Sequence, residues 1–126
     1  MLQPIKTIEI YHKPPSPQTF APGEVIFTEG EIGHLMYGLI SGEVEMYIDS
    51  KLVETIKPGD LFGEGAIIHE DHKRASTAIA KTETVLAFLE RDHFLFALQE
   101  TPMFAIEVMR SYSERFRRLK ELYRNL

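Results

Sequence analysis

The chain has 126 residues, 44% of them hydrophobic and 26% charged, a globular composition of about one domain's length. It has no cysteine, which excludes disulfides, thiolate metal sites and a cysteine nucleophile, and its net charge of -5 argues against a dedicated nucleic-acid binder. The N-terminus lacks the basic start and continuous apolar run of a secretory signal, and no segment has the apolar length of a bilayer span. The expectation is a soluble, cytoplasmic protein with no membrane insertion.

Up to about residue 98 the sequence reads as short strands punctuated by glycine and proline. "IKTIEIY" alternates apolar and polar side chains, and "PPSPQ" breaks it. "EVIFTEG", "HLMYGLISG", "EVEMYI" and "KLVETI" follow, and later "ASTAIA" and "TVLAFLE". Gly23, Gly42 and Gly59 fall at predicted turns, where glycine tolerates positive φ. "IDSKL", Ile48 to Leu52, reads as a hairpin tip. Strands this short and evenly spaced predict an all-β sandwich or roll rather than βαβ units.

After Leu89 the texture changes. "ERDHFLFALQETP" reads as a short helix with Asp92 as its cap and Pro102 as its break. From Met103 the period is helical: Met109, Tyr112, Phe116, Leu119, Tyr123 and Leu126 form one apolar seam, extended upstream by Ile106. The predicted organisation is a single domain over 1–126, mainly β with flanking helices, whose last helix spans 103–126. The seam either packs on its own β domain or pairs with a second copy; the second is preferred, because an unpaired seam would be an exposed apolar patch. Glu107, Glu114 and Glu121 interrupt the helix's basic residues, so that face reads as solvated rather than nucleic-acid-binding.

The chemistry concentrates in "FGEGAIIHEDHKRASTA", Phe62 to Ala78. "GEGA" presents backbone N–H groups with little side chain in the way, an arrangement that can cradle an anion. Glu64 is acceptor-only and suits a hydroxyl, such as that of a sugar. Arg74 offers a rigid fork of donors matched to phosphate oxygens, and Ala75, Ser76 and Thr77 leave room beside it. A ligand carrying both a phosphate and a ribose hydroxyl would satisfy both residues. A plain Glu64–Arg74 salt bridge across the loop is the competing explanation, and residue chemistry alone leaves the two open.

This stretch resembles the phosphate-binding cassette of cyclic nucleotide-binding domains: Phe-Gly-Glu, small or apolar residues, a variable loop, then arginine and a run of Ala, Ser or Thr. "APGEVIFTEGEIGHLMYGLISGEVEMY" is similar to the family's first strands and "IKPGDLFGE" to its approach to the site, so the resemblance covers about residues 18–126. It implies a jelly-roll-like β-roll plus a C-terminal helix, no catalytic residues, no metal and no cofactor. It also implies that Glu64 holds the ribose 2′-hydroxyl and Arg74 the cyclic phosphate, with Gly63, Gly65, Ala66 and Ala75 lining the pocket and Ser76 close by. Gly65 departs from the larger apolar residue common in the family, and Lys73 from a frequent proline. Ala75 stands where a threonine often follows the arginine in cGMP-selective relatives, which favours cAMP over cGMP; a cyclic dinucleotide stays open.

The implied function is a receptor that signals by moving its C-terminal helix. Because the sequence stops at Leu126, the expectation is a stand-alone receptor acting through an unidentified effector protein, by self-association as a homodimer, or by sequestering nucleotide. The alternative is an interaction module of the same fold that binds no ligand. A metal-binding barrel enzyme is disfavoured, since there is no His-x-His pair and His12, His34 and His93 are scattered. A serine hydrolase is disfavoured by the absence of a Gly-x-Ser-x-Gly elbow.

Overall fold

A computed structural model of the chain describes residues 17–126; the expected "IKTIEIY" strand and His12 lie outside the described residues. Eight strands follow in order: β1 (Gln18–Phe20), β2 (Val25–Phe27), β3 (Leu35–Ser41), β4 (Val44–Ile48), β5 (Lys51–Ile56), β6 (Leu61–Phe62), β7 (Thr77–Ala80) and β8 (Thr84–Glu90). Helix α1 (Gly65–Ile68) sits between β6 and β7, and α2 (Arg91–Glu100) and α3 (Met103–Arg124) close the chain. The strands form two four-stranded sheets, β1-β8-β3-β6 and β2-β7-β4-β5, with antiparallel pairing throughout. This is an antiparallel β-roll with C-terminal helices.

Local chemistry explains several elements. Asp49 and Ser50 join β4 to β5 with φ of 49° and 65°, the two positive values that a type I′ hairpin turn requires. Strand β8 is almost continuously apolar because both of its faces are covered. Leu86 and Phe88 point between the sheets with Phe27, Leu39, Val44 and Phe62. Ala87 and Leu89 point the other way, into a second cluster with Met36, Ile67, Ala97 and Phe104 beneath the helices. The first sheet thus carries a core on each face.

Two short strands, β1 and β6, are not marked by any sequence run. Each has only two or three residues, too few for an alternation to register. The start of α2 is also corrected: Glu90 holds the cap position, and Asp92 lies in the first turn, where its charge complements the helix dipole. Pro102 follows the end of α2 and is itself the cap of α3.

Helix α3 docks on the roll by a mixed face, with Phe104, Val108 and Tyr112 packed on the second apolar cluster beside polar groups. Glu107 and Ser111 are buried together with Phe104, and Tyr112, Arg115 and Arg118 are partly covered. Most of the apolar seam faces away: Met109 is 66% exposed, Phe116 60% and Tyr123 79%. The seam therefore does not serve as the main contact with its own β domain.

Candidate ligand-binding site

Gly63, Glu64, Gly65, Ala66, Arg74, Ala75 and Ser76 all line one cleft of about 120 Å³, with Phe27 and Met46 behind them and His69, Lys73 and Arg115 at its sides. The topology explains this convergence. Strand β6 and helix α1 deliver residues 63–66, and a loop returns Arg74–Ser76 to the head of β7. Gly63 sits at the pivot with φ of 78°; a Cβ there would lie 2.9 Å from Arg74 Nη1 and 3.3 Å from the Phe27 ring.

Arg74 is only 6% exposed. Its guanidinium carbon lies 4.1 Å from the centroid of Phe27 and 5.8 Å from that of Tyr37, two rings that stack with a centroid separation of 6.1 Å. Nη1 donates to the Gly63 carbonyl at 2.9 Å. Nε is buried without any hydrogen-bond partner. Burial pushes the Arg74 pKa below its ordinary value, opposed by Tyr37, Glu31 and Glu64. Arginine remains charged under such conditions, so the cleft contains a buried cation with donor capacity left over.

Glu64 does not pair with Arg74. Its Oε2 accepts a 2.6 Å hydrogen bond from the Tyr112 hydroxyl of α3, and no ion pair joins it to Arg74 among the described residues. Burial, and then the neighbouring carboxylate, raise the Tyr112 pKa far above its ordinary value, so the phenol stays a donor. The competing salt-bridge explanation for the two charged residues therefore fails on geometry.

Helix α3 is fastened to the same segment that enters the cleft. The Leu61 N–H donates to Ser111 Oγ at 3.0 Å, and Arg115 Nη1 donates to the Leu61 carbonyl at 2.8 Å. Arg118 pairs with Asp60. Arg115 also forks onto Glu54 through Nε and Nη2 at 2.7 and 2.9 Å, and its guanidinium covers the Tyr112 ring at 4.9 Å. Burial alone would lower the Arg115 pKa, but the Glu54 pair overcomes it and the net shift is upward. Residues 60–64 thus contact α3 on one side and the cleft on the other.

The sequence does not single out Phe27, Tyr37 or Arg115 as site residues, and only folding brings them beside residues 63–76. Tyr112 and Phe116 of the last helix are both sequence candidates for stacking on a ligand's base; the structure sets the Tyr112 hydroxyl on Glu64 and leaves Phe116 60% exposed. His34 and His72, scattered in sequence, also meet, with ring centroids 5.7 Å apart. The described residues contain no group of three or more potential metal ligands, and no helix among them is long and apolar enough to cross a membrane.

The cleft thus sets a buried guanidinium with an unbonded Nε beside a glycine-framed carboxylate on an antiparallel β-roll. The family described as Cyclic nucleotide-binding domain matches residues 17–101. The chain belongs to that family. It is 42% identical over 77 residues to a cAMP-dependent protein kinase regulatory subunit of Hypocrea atroviridis, covering 61% of this chain and 16% of that protein. It is 36% identical over 104 residues to a cGMP-dependent protein kinase of Eimeria tenella, covering 70% of this chain and 10% of that one. The chain therefore spans a small part of these relatives. The crystal structure of Thermus thermophilus catabolite activator protein superposes with a TM-score of 0.73 at 22% identity, over 95% of this chain and 57% of that one, a likeness of fold.

Proposed function

We propose that the cleft binds a cyclic mononucleotide, cAMP in preference to cGMP, and that the chain is a non-enzymatic cytoplasmic receptor reporting occupancy through α3. The observation that carries this reading is Arg74: a buried cation with no carboxylate partner and an unbonded Nε. Burying a charge in this way is costly unless something pairs with it. A cyclic phosphate supplies the missing acceptors. Glu64 takes the ribose 2′-hydroxyl on the oxygen that Tyr112 leaves free, and the main-chain groups of Gly63, Gly65, Ala66 and Ala75, with Ser76, line the phosphate.

The cleft, at about 120 Å³, is smaller than a pocket that encloses a whole drug-sized ligand. It fits the phosphate and sugar, with the base lying over the opening. Relatives named for cAMP and for cGMP both occur, and the preference for cAMP rests on Ala75 following Arg74. Because Glu64 touches both ligand and Tyr112, occupancy biases the position of α3; a ligand drives such a change only by favouring one arrangement over the other. The exposed seam of α3 then meets an effector protein or a second copy, making a homodimer.

Calorimetric titration with cAMP, cGMP and cyclic dinucleotides tests the reading. Arg74→Ala should weaken cAMP binding by about 1.5–3 kcal/mol, the range of a charge-assisted hydrogen bond, and Glu64→Gln should weaken it as well. Saturating cAMP should also raise the melting temperature, since at about 100 times Kd it adds about 2.7 kcal/mol to the folded state. Unchanged titration curves for Arg74→Ala would refute the assignment, and no binding of any nucleotide would leave the non-ligand interaction module standing.

A further inference from the structure

Gly33 precedes Arg74 by about forty positions and carries no side chain, yet it forms one wall of the arginine's slot. The two segments are zipped together. Gly30 N–H donates to the Arg74 carbonyl at 2.8 Å, Arg74 N–H to the Glu31 carbonyl at 2.8 Å, and Gly33 N–H to the His72 carbonyl at 2.9 Å. Ile32 and Lys73 form a bridge between them. A Cβ built on Gly33 would lie 2.5 Å from both Cζ and Nη2 of Arg74 and would also collide with Nε. Contacts below 3.0 Å do not persist for real Cβ atoms.

The glycine is not required by its backbone. Gly33 is not among the left-handed residues, unlike Gly23, Gly30, Gly42, Gly59 and Gly63. An alanine would therefore be accommodated by the main chain, and the atoms it strikes are the far end of one flexible side chain. The Phe27 ring also lies close, its centroid 4.1 Å from the guanidinium carbon. The Arg74 head group thus has Gly33 and an aromatic ring as near neighbours.

We infer that Gly33 is a positioning residue of the ligand site: its lack of a side chain lets the Arg74 guanidinium lie on Phe27, with Nε presented to a singly charged cyclic phosphate. The inference rests on the cyclic-nucleotide reading for its ligand, but the placement of Arg74 can be tested without one. It differs from a general packing role, because removing the open space should act on binding only through Arg74.

The experiment compares wild type, Gly33→Ala, Arg74→Ala and the double variant. In ligand-free protein, the ¹⁵N–¹H signal of Arg74 Nε, assigned by its loss in Arg74→Lys, should exchange slowly with water in wild type. In Gly33→Ala it should move to the position of a solvent-exposed arginine while the melting temperature stays close to that of wild type. With cAMP as the probe, Gly33→Ala should lose affinity on the order of 10- to 100-fold, as Arg74→Ala does, and the double variant should be no weaker than Arg74→Ala alone. Phe27→Leu, which keeps an apolar floor but removes the ring, should lose about two- to five-fold. An unmoved Nε signal with wild-type affinity in Gly33→Ala would overturn the inference while leaving the site intact. Additive losses in the double variant, or failure of Gly33→Ala to fold, would equally overturn it, since the clash would then fall on the scaffold and not on Arg74. If wild type binds none of the nucleotides, the functional reading falls, and the Nε signal still decides whether Gly33 positions Arg74.

Discussion

Arg74 and Arg115 are both held against the same cleft, and the protein treats them in opposite ways. Every nitrogen of Arg115 is bonded: Nε and Nη2 fork onto Glu54, Nη1 donates to the Leu61 carbonyl, and the pairing raises its pKa. Arg74 has one carbonyl, one aromatic floor and an unbonded Nε, and burial lowers its pKa. A guanidinium whose nitrogens all bond within the chain is a fastener. One whose buried Nε has no partner meets the requirement of the proposed phosphate site. The contrast separates the residue that holds α3 from the residue proposed to pair with an anion.

That contrast can be broken at several points. The largest expected effect is on the fastener: Arg115→Ala strands the buried Glu54 carboxylate and should destabilise the ligand-free protein by about 3–5 kcal/mol in urea unfolding. Tyr112→Phe, which removes one hydrogen bond to a charged acceptor, should cost about 1.5 kcal/mol and speed hydrogen exchange in α3. It also frees Glu64 to turn, so the preference for cAMP over 2′-deoxy-cAMP should shrink. Arg74→Met should be nearly silent in the absence of ligand, lowering stability by less than about 1 kcal/mol or raising it, because an unpaired buried cation is replaced by an apolar side chain of similar length. If Arg74→Met proves as damaging as Arg115→Ala, the distinction between the two residues is wrong.

The smallest expected effect on stability concerns the outer face of α3. Met109→Glu combined with Phe116→Glu alters residues that are 66% and 60% exposed and should change unfolding by less than about 0.5 kcal/mol. The same pair should lower the mass measured by light scattering if the seam joins two copies. A wild-type protein that is monomeric at high concentration would assign that face to an effector instead.

How far the sequence reaches is visible in particular elements. Hairpin chemistry at Asp49–Ser50, the apolar run of β8 and the helical period after Met103 are local signals, and each became the element it announced. The motif from Phe62 to Ala78 is also local enough to name its own residues, because an acceptor between glycines and a guanidinium beside small residues state their chemistry directly. Strands β1 and β6 lie below the length at which a period can be read.

The composition and order of side chains determined the β-roll, the terminal helices and the pairing of an acid with a base around one loop. Tertiary structure alone decided that the acid and the base do not neutralise each other. It gave Glu64 to Tyr112, left Arg74 on Phe27, and turned most of the apolar seam of α3 outward while Ser111, Arg115 and Arg118 docked inward. The reason is that hydrogen-bond partners and aromatic faces tens of residues apart leave no periodic trace in a sequence; their energies depend on distances that exist only after the chain has closed.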